Sequence, residues 1–339
     1  MEPLVSILIP AYNAEKWIAY SIASAVDQIW KRKEVIIVDD GSTDKTYEIA
    51  KKFESKSVKV IMQENRGAAA ARNKAYSIAQ GDYIQWLDAD DLLAPDKISE
   101  QMKIAQSDRT GLVLYSSPYG KFYWRWEKAK FIKNDLWHNL SPLDWLVVGF
   151  TKAAWLSDNA WLVSRKISEK AGRWDERLSL NDDGEYFCRI VSASTSVVFV
   201  EGARAYYRVS GSNQLSRNTS EEACKSYLLS AKLCIQHIRS IEDSERTRAA
   251  CLAFLRAQWP FHYFEKYGQR EEIKNLALDL GGELGKPSIS YKESFLFHLF
   301  GQRKGNDIMR ALRNIRLAAL INWDKFLFNV CGNKSNSVV

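Results

Sequence analysis

Three short segments of this chain have the residue types and spacing to hold a charged ligand. In Asp88-Ala89-Asp90-Asp91 the first and third carboxylates stand two residues apart. If that segment is extended, both point the same way and can face one ion. Hard oxygen ligands favour Mg²⁺ or Mn²⁺, and Mg²⁺ usually takes one or two carboxylates plus substrate phosphates. The same residues also suit a solvated acidic turn or a helix cap before Leu92. Asp39 and Asp40 are adjacent and therefore not spaced for a shared metal. A carboxylate there can accept from a base N–H or a ribose hydroxyl; equally, Asp40-Gly41 can turn the chain while Asp44 opens a helix. The run from Arg66 through Gly67 and four alanines to Arg72-Asn73 reads as a helix entry built for close approach, with Arg72 suited to a diphosphate. There is no G-x-x-x-x-G-K-[ST] and no G-x-G-x-x-G, so neither a P-loop nor a Rossmann dinucleotide site is supported.

Elements of alternating period must position these groups. Val5 to Ile9, Glu34 to Val38, Val58 to Met62 and Tyr83 to Leu87 read as buried strands, the first ended by Pro10. Between them Ala14 to Gln28, Thr43 to Phe53 and Ala68 to Gln80 have helical character, which is the signature of a parallel α/β sheet. In such a sheet ligands bind beyond the carboxyl ends of the strands, where Ala11-Tyr12-Asn13, Asp39-Asp40 and the 88–91 acids fall. Leu112 to Ser116 and Trp161 to Ser164 read as further strands, with an aromatic, mixed segment including Tyr119 to Trp137 between them. From about residue 220 the pattern turns helical, with Cys224, Tyr227, Leu228, Ala231, Ile235 and Ile238 on one stripe. Gly281 to Ser290 reads as a loop.

Composition narrows the class. The chain has 339 residues, 46% hydrophobic and 26% charged, enough for one large domain and a smaller appendage. Of the net charge of +7, about six charges lie in residues 286–339, where nine Lys and Arg face three acids. The rest is nearly neutral, which argues against a nucleic-acid-binding surface. Five cysteines without a C-x-x-C pair and four scattered histidines predict a reduced, cytoplasmic chain with no structural metal. No signal peptide is evident, and no apolar run approaches the length of a membrane span.

Taken in order, these segments resemble the inverting glycosyltransferase family 2, with its GT-A fold. The resemblance runs through Val5 to Asn13, Val38 to Asp44, Asn65-Arg66-Gly67 with Ala71-Arg72-Asn73, and Leu87 to Asp91, and resumes at Trp174 to Arg177 and Asn181 to Arg189. It implies a Rossmann-like mixed α/β sheet flanked by helices, with a GT-A catalytic domain over residues 1–215 and a helical extension over 216–339. Residues 1–105 would form the nucleotide-sugar-binding half and 106–215 the acceptor-binding half. The resemblance further implies that Pro10, Ala11, Tyr12 and Asn13 line the nucleotide pocket, that Asp40 contacts the base, and that Asp90, assisted by Asp88, holds ribose and the Mn²⁺ or Mg²⁺ ion. The catalytic base falls on Asp183, with Asp182 where glutamate is commoner and Glu185 a second candidate. The implied reaction passes a sugar from a nucleotide-diphospho-sugar, UDP-linked by expectation, to the hydroxyl of a saccharide or lipid-linked saccharide in surface polysaccharide or glycolipid assembly.

One departure stands out: where many members carry Tyr-Arg-x-His, this chain reads Tyr207-Arg208-Val209-Ser210. Serine cannot replace imidazole as a metal ligand, and Asn213 is the nearest residue that could compensate. The missing histidine keeps open a catalytically inactive nucleotide- or glycan-binding module of the same fold. A sugar-nucleotide pyrophosphorylase would want a glycine-rich, lysine-bearing N-terminal loop, which residues 5–20 lack. Near the C-terminus Ile308, Leu312, Ile315 and Ala319 share a helical face, with Arg303, Arg310 and Arg313 roughly opposite. Such a helix either lies on an anionic membrane surface or packs its apolar face onto the catalytic domain.

Overall fold

A computed structural model of the chain describes residues 2–211, 218, 220–258, 267–285 and 291–331. Asn213 and the side chain of Arg303 lie outside the described residues. The first half alternates strand and helix: β1 (Val5–Ala11), α1 (Ile18–Val26), β2 (Lys33–Asp39), α2 (Thr46–Lys51), β3 (Val58–Met62), α3 (Ala68–Ile78) and β4 (Tyr83–Trp86). Then come β5 (Leu92–Leu93), α4 (Lys97–Ala105), β6 (Val113–Ser116), β7 (Tyr119–Phe122), β8 (Lys130–Phe131), α5 (Pro142–Lys152) and β9 (Val163–Ser164). After α6 (Arg165–Ala171), α7 (Asp182–Ala193), β10 (Ser196–Phe199) and β11 (Ala205–Arg208), the described chain is helical: α8 (Glu221–Ile241), α9 (Glu245–Gln258), α10 (Arg270–Asp279) and α11 (Tyr291–Cys331).

The main sheet has the order β3-β2-β1-β4-β9. Its first four strands are parallel, with Leu8 opposite Ile36 on one side and Trp86 on the other, and β9 closes the edge antiparallel. Helices cover both faces, so β1 and nearly all of β2 are buried, which is why they read as unbroken apolar runs. Contrary to expectation, β1 runs through Pro10 to Ala11, pairing with Val38 and Asp39. β4 follows β1 only as far as Leu8, so the donor that proline lacks falls where no neighbour needs it. The helices are shorter than their periodic segments. α2, for example, begins only at Thr46, because the Asp44 carboxylate accepts from the Thr46 amide and hydroxyl ahead of it.

A second sheet, β5-β11-β7-β8, sits beyond the carboxyl edge, and β6 pairs with β10 in parallel. α3 packs on β1 and β2 through buried Ala69, Ala71 and Ala75, whose small size brings the helix close to the sheet. The segment after residue 215 is not a separate appendage in packing terms. α8 lies on α7 and α9 on α5, and Ile238, Phe254, Ile273 and Leu280 belong to the same hydrophobic core as β1. The stripe from Cys224 to Ile238 is buried as the pattern predicts. α11 breaks at Gly301, where φ is 74°. No described helix is long and apolar enough to cross a membrane.

Candidate active site

The carboxyl ends of β1, β2 and β4, the N-terminus of α7, the residues after β11 and one face of α11 enclose a cavity of about 1590 Å³. That exceeds the ~300–1,000 Å³ of ordinary small-molecule sites, leaving room for two ligands side by side.

At one end, Pro10, Ala11, Tyr12 and Asn13 line the wall. Asn13 sits at φ 48°, and its side-chain oxygen accepts from the Thr43 amide at 2.9 Å while its own amide donates to Ser42 at 2.9 Å. The two strand-end loops thereby hold each other, leaving the Tyr12 ring 52% exposed over the cavity. Of the adjacent acids, Asp40 lines the cavity and Asp39 is buried beneath it. The Asp40 carboxylate accepts from Gln63 Nε2 at 2.7 Å and from the Arg66 and Gly67 amides at 3.0 and 2.8 Å. A carboxylate has about four lone-pair positions, so room for one further donor remains.

Arg72 is the hub of the site. Its guanidinium is buried, lies 4.3 Å from the Trp174 ring, and bonds three carboxylates: Asp182 at 2.8 Å, Asp88 at 2.9 Å and Asp158 at 3.1 Å. Trp174 in turn stacks on Tyr186 at 4.0 Å. Both terminal nitrogens of Arg72 thus donate to protein carboxylates while its buried Nε has no partner, and the guanidinium ties β4 to α7. Its fixed charge is what allows buried Asp158 and Asp182 to gather beside half-exposed Asp88.

The acids after β4 form a turn, not the extended segment on which the shared-face argument rested: the Asp91 amide donates to the Asp88 carbonyl at 3.1 Å. Asp91 points inward, accepting from Asn159 at 2.9 Å and the Arg208 amide at 2.8 Å. Asp88 stays 37% exposed beside Arg72. Burial, and then the charge of Asp88, push the Asp90 carboxyl up to about 6, against the opposing pull of Arg208 and a hydrogen bond from Ser210. Asp88 and Asp90 therefore carry negative charge that the protein only partly offsets, and a divalent cation fits them on charge and ligand hardness. Among the described residues no group of three or more His, Cys, Asp or Glu surrounds such a site, so further ligands would have to come from phosphate or water.

Across the cavity α7 begins at Asp182, after Asn181 in the left-handed region at φ 58°. Asn181 is pinned to α8 by reciprocal bonds with Ser230 at 2.7 and 2.9 Å. Asp182 and Asp183 both line the cavity; Asp182 is tied to Arg72, and Asp183 accepts from the Gly184 amide at 2.8 Å. Burial and the neighbouring Asp182 raise the Asp183 carboxyl to about 6, with Arg72 opposing. Glu185 is placed elsewhere: it is 2% exposed, accepts from Arg189 at 2.7 and 2.8 Å and meets His237 Nε2 at 3.0 Å. Burial raises its carboxyl, but those bonds outweigh burial and hold it below the ordinary value. It is not among the residues that line the cavity.

Two residues of the site escape a reading of the sequence. Arg208 is sandwiched between Trp17 at 4.1 Å and Phe122 at 4.4 Å, and donates to the carbonyls of Asp90 at 2.7 Å and Tyr123 at 2.8 Å, fixing the acidic turn. Asp158 sits in a short 3₁₀ turn without any periodic signal. From the aromatic stretch, Tyr123 and Trp124 reach the cavity.

Residues 6–170 match the family model described as glycosyl transferase family 2. Among curated relatives, a putative teichuronic acid biosynthesis glycosyltransferase, TuaG of Bacillus subtilis, is 44% identical over 105 residues, covering 30% of this chain and 42% of that protein. The Escherichia coli protein WfaP, named as a UDP-Glc:alpha-D-GlcNAc-diphosphoundecaprenol beta-1,3-glucosyltransferase, is 40% identical over 122 residues, covering 35% and 46%. The chain spans about two fifths of the length of the first curated relatives it matches. Among solved structures, Staphylococcus aureus TarS 1–349 in complex with UDP-GlcNAc aligns with a TM-score of 0.65 at 17% identity, over 81% of each chain. A mannosyltransferase from Pyrobaculum calidifontis in complex with GDP-Man and Mn²⁺ aligns at 0.50 and 19% identity, over 82% of this chain and 76% of that one. The fold is that of the GT-A transferases.

Proposed function

Because the chain belongs to glycosyl transferase family 2, we propose that it transfers a sugar, with inversion, from a UDP-sugar to a hydroxyl acceptor in the assembly of a surface polysaccharide or glycolipid. The observation that carries this reading is the placement of Asp183. It is a cavity-lining carboxylate with a raised pKa, set at a helix start across from Asp88 and Asp90, while its neighbours Asp182 and Glu185 are held by arginines.

In the proposed reaction the nucleotide lies against Pro10 to Asn13, with the base donating to the free lone pair of Asp40. Asp183 takes the proton from the acceptor hydroxyl as that oxygen bonds to the anomeric carbon and the bond to the diphosphate breaks. A carboxyl near 6 is ionised at neutral pH yet basic enough to accept a proton in the transition state. Direct displacement by the acceptor inverts the anomeric centre and needs no protein nucleophile. Asp88 and Asp90 would hold Mn²⁺ or Mg²⁺, which would supply charge stabilisation for the departing diphosphate. Arg72 keeps Asp88 and Asp182 in place rather than touching the donor. The acceptor, a saccharide or lipid-linked saccharide, enters beside Tyr123 and Trp124, in a cytoplasmic protein attached peripherally to the membrane through α11.

Calorimetric titration of UDP with and without Mn²⁺ tests the donor site. Binding that Mn²⁺ strengthens in the native chain but not in Asp90→Ala is expected. Equal binding with and without the ion removes the metal from the proposal. Failure of UDP, GDP and TDP alike would leave a glycan-binding module as the better reading.

A further inference from the structure

α11 has two faces with different partners. Its inner face completes the cavity: Ile321, Asn322 and Lys325 line it, and Phe328 lies 5.7 Å from the Trp124 ring. Asp324 is buried there, accepting from the Trp124 and Arg125 amides at 2.9 and 3.1 Å and from Arg125 Nε at 2.7 Å. The apolar stripe is on the other side. Leu312, Ile315, Trp323, Phe326 and Val330 are 55%, 66%, 61%, 55% and 62% exposed, and their spacing sets them on one face. At 1.5 Å per residue that face is roughly 27 Å long. A contiguous apolar surface of this kind marks an interaction site.

Charge selects the occupant. Exposed Arg316, with Arg313 beyond it, borders the stripe on one side, and of the three acids in residues 286–339 Asp324 is turned inward to Arg125. Tryptophan and phenylalanine on one face, with arginine along its edge, describe a helix that lies in the plane of an anionic lipid surface. A second copy of the chain would bring two arginine borders together, which like-charge repulsion disfavours.

We propose that the outward face of α11 rests on an anionic bilayer, so that the cavity closed by its inward face takes its acceptor from that bilayer. The second half rests on the transferase reading. A helix with side chains is about 10–12 Å across, so the reacting hydroxyl would lie roughly one helix diameter above the lipid headgroups. That distance suits the first sugars of a lipid-linked saccharide and excludes the far end of a long polymer still attached to its lipid.

The test is sedimentation of the full chain with vesicles of phosphatidylcholine, alone or with about a third phosphatidylglycerol. Binding to the anionic vesicles, weakened by salt, is expected. The triple variant Leu312→Ser, Ile315→Ser, Trp323→Ser should lower it at least ~10-fold. Arg313→Glu and Arg316→Glu should each lower it at least about fivefold, from roughly 1 kcal/mol per basic residue lost at such a surface. These residues face outward, so UDP titration into the same preparations should be unchanged, which separates the two readings: a chain that binds vesicles but no nucleotide keeps the membrane face and loses the acceptor argument. Wild-type protein that ignores anionic vesicles, or that forms dimers by light scattering which the triple variant abolishes, overturns the proposal.

Discussion

Replacing Asp183 with asparagine should stabilise the protein above neutral pH and sharply reduce transfer. Burial and Asp182 hold the Asp183 carboxyl near 6, against an ordinary 3.8. The folded state therefore keeps this proton more tightly than the unfolded chain does. The stability it contributes is complete below the unfolded value and is lost as pH rises through about 6. Above that, the folded protein carries an ionised group it would rather have neutral, at a nominal cost of about 3 kcal/mol from 1.36 kcal/mol per unit. Asp183 is only partly buried, so solvent screens some of this, and asparagine forgoes a favourable charge at a helix start worth about 0.3–1 kcal/mol. A net gain of about 1–2 kcal/mol remains. With an unfolding entropy of ~2.1 cal/mol/K per residue, a chain of 339 residues should gain about 2 °C in Tm at pH 8 and almost nothing near pH 4. Thermal melts of both proteins across that range give the comparison, and loss of a general base should cut turnover about 10²–10⁴-fold with UDP affinity unchanged. A Tm difference that is flat with pH, a less stable variant at pH 8, or retained transfer would refute the reasoning.

Arg72→Met should cost about 3–5 kcal/mol in urea denaturation, because Asp158 and Asp182 would be left buried and uncompensated; a loss under 1 kcal/mol would show that the three acids do not depend on it. Glu185→Gln should behave oppositely to Asp183→Asn. Its carboxyl is held below the ordinary value, so its contribution is present above the unfolded value of about 4.5 and fades as pH falls. The destabilisation, about 1–3 kcal/mol for a buried charge-assisted pair, should appear in melts at pH 7 and shrink toward pH 4.

The parallel half of the fold is legible because its strands are covered on both faces and must be continuous apolar runs, while each strand end announces itself by polar residues. The acids at 40, 88 and 90 are legible for the same reason, as conspicuous groups at strand ends, whereas Asp183, in the first turn of α7, is indicated only by the family resemblance. What pattern cannot carry is partnership across long sequence distance. Nothing near Asp158 signals that Arg72, 86 positions away, will bond it, and nothing in Tyr207-Arg208 shows a guanidinium inserted between Trp17 and Phe122. The i, i+2 argument for Asp88 and Asp90 presumed an extended backbone, and a turn held by Asp91 displaced it. Periodicity also finds the two faces of α11 without saying which is inward. The polar face won, because Asp324 caps backbone amides at Trp124 and Arg125 that no hydrophobic side chain could satisfy.

The charge balance of the cavity bears on why the proposed donor and cation belong together. Asp40, Asp88, Asp90, Asp158, Asp182 and Asp183 all line it, and Arg72, the most deeply placed cation there, is already shared among three of them. Arg66 is exposed and paired with Glu176, and Lys16 and Lys325 stand among the other lining residues. A nucleotide diphosphate entering such a field meets repulsion from its acids unless positive charge arrives with it. Burial first, and the neighbouring acids second, raise the carboxyls of Asp90 and Asp183, one at each side of the proposed reaction. Charge placed at Asp88 and Asp90 would relieve the first directly and attract the diphosphate. The same charge would favour the ionised form of Asp183 across the cavity, so that filling the donor side readies the base on the acceptor side.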